Sequence, residues 1–335
     1  MAENANIPRL KTWYREGRLS RRDFLRQSTL LGLSATAAYG FAGLAAPQAR
    51  AQSLPQGGTL RMGIRVLDVS NPHAISFNEG ATSIRPVLDF LVRTGYDNIT
   101  RPWLLSGWDV SDDLKTWTLK VRDGVTWHSG RPLTADDVEW NIRHILAPET
   151  GSSVVGLMSS YMLTEVETGE TDEDGNPVTR SELWDANAIE KVDDTTVRLN
   201  LKNPQGAVPE HLFHFPFFIL DPEEGGSFGV GSNGTGPFTL VEHAVGERAV
   251  FERVPGDYFM GGGHLDRIVF TDLGEDANAA LGALMTEQVD GLYEISENQA
   301  PVVAGNPALK GVRATTGATA VTRGKRTEPP FDDPR

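Results

Sequence analysis

The chain has 335 residues, more than the about 250–300 that one hydrophobic core ordinarily fills, so two lobes or several layers are expected. Its 31 Lys+Arg against 45 Asp+Glu leave a formal net charge of −14, and an acidic surface repels phosphate backbones, which sets nucleic acid aside as a partner. Cysteine is absent, which excludes disulfides, thiolate metal sites, iron–sulfur clusters, a cysteine nucleophile and a lipid-modified N-terminal cysteine.

The first 51 residues differ from the rest: eight basic residues against three acidic give +5, leaving −19 for the remainder. Ser20-Arg21-Arg22-Asp23-Phe24-Leu25-Arg26 precedes a mildly apolar run from Thr29 to Ala46, then Pro47 and the small-x-small Ala49-Arg50-Ala51. This is the order of a cleavable export signal, and the paired arginines with Phe-Leu resemble the twin-arginine signal. The alternative is a membrane anchor. The Ser, Thr, Gly and Ala content of the run favours cleavage near Ala51 and a chain that starts near Gln52 in a bacterial periplasm.

Leu60–Val66 alternates as a first strand, and Asn71-Pro72-His73 breaks it. Apolar residues at 84, 87, 88 and 91 predict a helix over 83–93. Trp117–Val121 and Val125–Trp127, joined by Asp123-Gly124, predict a hairpin. Thr134 followed by Ala135-Asp136-Asp137 predicts a capped helix ending before Pro148. Residues 167–182 are polar and turn-forming, hence a surface loop; Asp172-x-Asp174-Gly175 faintly suggests a calcium loop, but the later ligands are missing. Thr195–Leu201, Phe238–Val241, Ala249–Arg253 and Ile268–Thr271 predict strands, and Asp276–Glu287 a helix. Strands interspersed with helices and no repeat give a mixed α/β (α+β) class.

Three patterns suggest chemistry. His211 and His214 in HLFHF allow a metal pair, against a packed helix end as the preferred reading. Gly225-Gly226-Ser227-Phe228-Gly229 matches the hydrolase nucleophile elbow, and with His243 and an acid would make an exported serine hydrolase; the elbow needs a strand before the serine and a helix after it, and the following glycines and proline oppose that helix. Gly229-x-Gly231-x-x-Gly234 matches a dinucleotide fingerprint, but a strand-like segment follows Pro237. The whole stretch reads as a flexible turn or linker into a strand, and no catalytic residue, metal or cofactor is expected.

The most distinctive segment runs from Trp108 to His128 (WDVSDDLKTWTLKVRDGVTWH) and continues through Gly130-Arg131-Pro132-Leu133-Thr134-Ala135-Asp136-Asp137-Val138. It resembles the signature of family 5 solute-binding proteins, the peptide, dipeptide and nickel receptors of ABC importers. Gly234-Thr235-Gly236-Pro237-Phe238, Asp257-Tyr258, Leu265-Asp266-Arg267-Ile268, Val289-Asp290-Gly291 and the terminal Pro330-Phe331-Asp332-Asp333-Pro334-Arg335 follow in family order.

The resemblance implies a two-lobed fold of the periplasmic binding protein-like II type, cut short at its C-terminus. Lobe I would comprise 52–88 and 202–317, an inserted subdomain 89–201, and the start of lobe II 318–335. It implies capture of a peptide-like solute by lobe closure and delivery to a membrane permease, with export through the twin-arginine machinery. Ligand contacts would come from Ser76, Phe77 and Asn78 after the first strand, from Tyr293, Glu294 and Ile295, and from the main chain at Thr319 and Val321 by β-augmentation. A third reading keeps the fold but replaces transport with a chaperone-like role.

Overall fold

The structure, a computed structural model, describes residues 4–44, 55–172 and 175–313. The chain divides into a large unit ending at Tyr293 and a second beginning at Glu294.

The large unit opens with three short helices, α1 (Ile7–Arg15), α2 (Arg21–Leu30) and α3 (Ala35–Phe41). Ser20 and Ser34 cap the second and third by accepting the Asp23 and Ala37 N–H groups. Gly32, at φ +88°, turns the chain between them, so the apolar run divides over two helices rather than one. Among the described residues no helix is long and apolar enough to cross a membrane.

Next come β1 (Thr59–Gly63), α4 (Asn78–Ile84), β2 (Val92–Thr94), β3 (Thr100–Pro102), β4 (Leu105–Val110) and β5 (Thr116–Val121). The helix expected over 83–93 is displaced: α4 ends at Ile84 because Pro86 offers no N–H to a further turn. Val87, Leu88 and Leu91 are nevertheless buried, so their apolar spacing reports burial and not a helix. The expected hairpin after β5 is also corrected. Leu133 N–H bonds to the Val125 carbonyl and Trp127 N–H to that of Arg131, so 125–127 pairs forward, while β5 lies between β4 and β9.

Helix α5 (Ala135–Leu146) starts where the cap predicts: the Asp137 carboxylate accepts the Thr134 N–H at 2.9 Å. It buries Val138, Ile142, Ile145 and Leu146. Then follow α6 (Val154–Met162), β6 (Leu163–Thr171), β7 (Pro177–Leu183), β8 (Ile189–Asp193), β9 (Thr196–Asn200) and α7 (Val208–His211). The stretch read as a surface loop is the antiparallel hairpin β6–β7. Its strands are mostly exposed on both faces, so no apolar alternation announces them.

The large unit closes with β10 (Phe238–Ala244), β11 (Arg248–Arg253), β12 (Arg267–Thr271), α8 (Ala277–Met285) and β13 (Gly291–Leu292). Two sheets organise the unit. One is a mixed five-stranded sheet, β10-β11-β12-β1-β13, antiparallel from β10 to β12 and parallel from β12 to β13. The other is the antiparallel sheet β4-β5-β9-β8, on which Trp117, Leu119, Val197 and Leu199 are fully buried. The expected mixed α/β class is what the chain adopts. The second unit, as far as it is described, holds a 3-10 turn at Glu297–Gln299, capped reciprocally by Ser296 and Gln299, and α9 (Ala300–Gly305). The expected boundary at 317/318 lies outside the described residues.

One polar pair in the core carries a pH prediction. His73 is fully buried; its Nε2 lies 2.8 Å from the Phe218 carbonyl, which only accepts, so Nε2 carries the proton. Its Nδ1 then accepts from Nδ1–H of His144 at 2.8 Å, and burial pulls the His73 pKa from 6.5 to about 3. The unfolded chain thus binds a proton below pH 6.5 that the folded chain refuses until about 3, so this stabilisation is full above 6.5 and is lost as pH falls. Between pH 7 and 5 we expect a loss of about 2 kcal/mol in denaturant unfolding, absent in His73→Gln; equal slopes in both proteins would contradict it.

Candidate functional site

A mixed sheet offers a natural place for a ligand. Loops that leave the carboxyl ends of neighbouring parallel strands diverge and leave a crevice between them. Here β12, β1 and β13 run parallel, with Met62 and Gly63 of β1 in register with Gly291 and Leu292 of β13. Glycine is needed at 63, since a Cβ there would lie 2.7 Å from the side chains of both Leu273 and Leu292.

Tyr293 follows β13 directly, its N–H bonded to the Gly63 carbonyl at 2.9 Å and its ring 38 % exposed. The loop leaving β1 at Gly63 leads to Ser76, Phe77 and Asn78, all exposed. Phe77 is 61 % exposed at the N-cap of α4, where its side chain makes no cap bond. A large ring exposed without a structural task is a candidate contact surface. Tyr293 and the 76–78 segment, both expected at the site, therefore lie on loops from adjacent parallel strands. Glu294, exposed, and Ile295, half-buried, open the second unit. Thr319 and Val321 lie outside the described residues.

Arg85 is a candidate that sequence reasoning misses. It is the C-cap of α4, where a cation suits the helix dipole, and no ion pair engages it among the described residues. Burial of part of its side chain holds the guanidinium below its usual pKa, although the residue keeps solvent contact, while the nearby Tyr293 phenol acts in the opposite sense. Its only sequence signal is an arginine ahead of a helix-ending proline.

The other motifs have structural roles. Ser227 sits exposed in a loop between the 3-10 turn Pro222–Glu224 and β10, without the strand and helix of an elbow. His243 commits Nε2 to the Leu67 carbonyl at 3.1 Å. The 229–236 glycines form no cofactor cradle, but neither are they a flexible linker: Gly236 N–H bonds to the Val87 carbonyl at 2.8 Å and Phe238 N–H to that of Pro86 at 3.1 Å, strapping the segment onto 86–87. His211 stacks on Tyr161 and meets its hydroxyl through Nδ1 at 2.7 Å, as a packed helix end does. Asp172 accepts the Asn176 N–H at 2.8 Å in the β6–β7 turn, and Asp174 lies outside the described residues.

Comparisons with known proteins agree with this architecture. The profile of bacterial extracellular solute-binding proteins, family 5 (middle portion), matches residues 100–335. Over 313 residues the chain is 29% identical to a probable peptide ABC transporter periplasmic-binding protein of Sinorhizobium fredii, covering 87% of this chain and 52% of that protein. It is 26% identical over 236 residues to a glutathione-binding protein of Pectobacterium atrosepticum, covering 69% and 41%. The structure of an agropinic acid-bound binding protein from A. tumefaciens R10 superposes with TM-score 0.61 at 23% identity, covering 75% of this chain and 46% of that one, a likeness of fold. The chain spans about half the length, or less, of these relatives. With its family profile matched over more than half its residues, the chain belongs to the bacterial extracellular solute-binding proteins of family 5, which are not enzymes.

Proposed function

We propose that this chain is the ligand-capturing portion of a periplasmic solute-binding protein that takes a peptide-like solute and hands it to the membrane permease of an ABC importer. The observation that carries the reading is the sheet edge where β1 and β13 end side by side, with Phe77 and Tyr293 exposed on the loops that leave them. An extended solute lies across such an edge with rings against its apolar parts and main-chain groups free to bond it. Arg85 supplies a cation for a solute carboxylate. Export through the twin-arginine route, with cleavage near Ala51, accounts for Arg21-Arg22 and the apolar run after them.

The reading is tested by thermal unfolding with a library of di- to pentapeptides, on this chain and on the chain continued to the length of its relatives. A ligand bound only by the folded state raises the midpoint with its concentration over Kd. We expect particular peptides to stabilise the longer form, and Phe77→Ala and Arg85→Ala each to weaken their binding about tenfold, or about 1.4 kcal/mol. No response to any peptide would turn the reading towards a chaperone-like role; a response unchanged by both substitutions would move the site away from this sheet edge.

A further inference from the structure

The segment read as an export leader is folded against the body of the protein. Helices α1–α3 make an apolar cluster of their own, with Ile7, Leu10, Phe24, Leu25, Ala38 and Tyr39 buried together with Ile99 of the β2–β3 hairpin loop. Polar bonds tie it to the body. Arg26 pairs with Glu210 of α7 through two hydrogen bonds of 2.5 Å. The Tyr39 hydroxyl donates to Asp97 at 3.0 Å, Trp108 Nε1–H of β4 donates to the Leu30 carbonyl at 3.0 Å, and Asn4 donates to the Val110 carbonyl at 3.0 Å. Gly32 passes close to β4: a Cβ there would stand 3.3 Å from the Trp108 carbonyl.

This docking divides the leader motif. Arg21 and Arg22 are exposed, whereas Phe24 and Leu25, on the next turn of α2, are buried at 0% and 6%. The contact is also incompletely packed, since a cavity of about 550 Å³ lined by Ile7, Thr29, Gly32, Thr100, Trp108 and Lys120 opens along it. A contact with such a void lacks the dispersion energy of a packed core and is suited to release.

We infer that the folded chain clasps its own leader on a surface formed by the β2–β3 hairpin, β4 and α7, so that a receptor meets Arg21-Arg22 first and reaches Phe24-Leu25 only when α2 lifts away. The gate rests on the export reading above for its receptor, while the clasp stands on the contacts alone. Glu210 is the control point on the body, because reversing its charge sets it against Arg26 without altering the leader.

The experiment is amide hydrogen exchange on the full chain, with export of the same variants followed by cell fractionation. In the parent chain the α2 amides are expected to exchange at least tenfold more slowly than in an isolated 1–51 peptide. Glu210→Arg removes that protection and speeds export, and Arg26→Glu combined with Glu210→Arg restores protection. Unchanged exchange in β5 and β9 shows that the variants remain folded. Peptide-like exchange of α2 in the parent, or protection and export both indifferent to Glu210→Arg, overturns the gate. The export reading is judged separately by Arg21→Lys with Arg22→Lys: undiminished export there overturns that reading and the gate with it, whereas unprotected α2 overturns the gate alone.

Discussion

Replacing Asp89 by Ala is expected to destabilise the protein by about 3–5 kcal/mol, the cost of leaving several buried donors without their acceptor. Asp89 is 6% exposed. One carboxylate oxygen accepts from Trp103 Nε1 at 2.8 Å and from the Tyr258 hydroxyl at 2.6 Å, and the other accepts from Thr235 Oγ1 at 2.9 Å. Burial raises its pKa and the three donors oppose that shift without cancelling it; Tyr258, half-buried and facing the carboxylate, is pushed up. In Asp89→Asn the amide oxygen can serve Trp103 and Tyr258 while its NH2 donates to the Thr235 hydroxyl, so most of the network survives and we expect a loss of only about 1–2 kcal/mol. Denaturant unfolding of both variants decides the matter, and an alanine variant no weaker than the asparagine one would mean that the three donors find water instead. The pH linkage is opposite in sign to that of His73: a raised carboxylate contributes stability below its unfolded pKa of 3.8 and loses it as pH climbs through the folded value.

How legible such features are in the sequence depends on how local their causes are. The cap of α5 is written within four residues, Thr134 to Asp137, and can be read directly. Strand β9 can be read because one face is buried and its apolar residues alternate, as Val197 and Leu199 do. Hairpin β6–β7 buries neither face for most of its length, so its pattern is that of a loop. Pro86 outweighs an apolar spacing that looks helical but serves buried turns. Asp89 stands inside the apolar run LDFLV, and nothing nearby in the sequence announces that its partners come 14, 146 and 169 residues later. The same distance hides the docking of the leader, because Arg26 finds Glu210 184 residues away. For the site, Ser76 to Asn78 and Tyr293 come from the family resemblance and not from any periodicity, while Arg85 is visible only once α4 and β13 have been placed.

Gly234 tests the strap that joins these parts. The segment Gly234-Thr235-Gly236 crosses the chain at Pro86–Val87 backbone to backbone, and this is how Thr235 reaches Asp89. A Cβ on Gly234 would fall deep inside the van der Waals radius of the Val87 carbonyl oxygen, and one on Gly236 would stand 2.5 Å from that of Pro86. A backbone carbonyl has no rotamer by which to retreat, so relief requires the strap itself to lift. Gly234→Ala is therefore expected to cost about 3 kcal/mol, at the upper end of overpacking penalties, with the Thr235–Asp89 bond lost in the same movement. At Gly229, by contrast, a Cβ would meet nothing within 4 Å and φ is not positive, so Gly229→Ala should be nearly neutral. Urea unfolding of Gly234→Ala, Asp89→Asn and their double mutant supplies the decisive comparison. If the strap and the carboxylate act as one unit, the double mutant loses less than the two single losses added together; strict additivity would separate them.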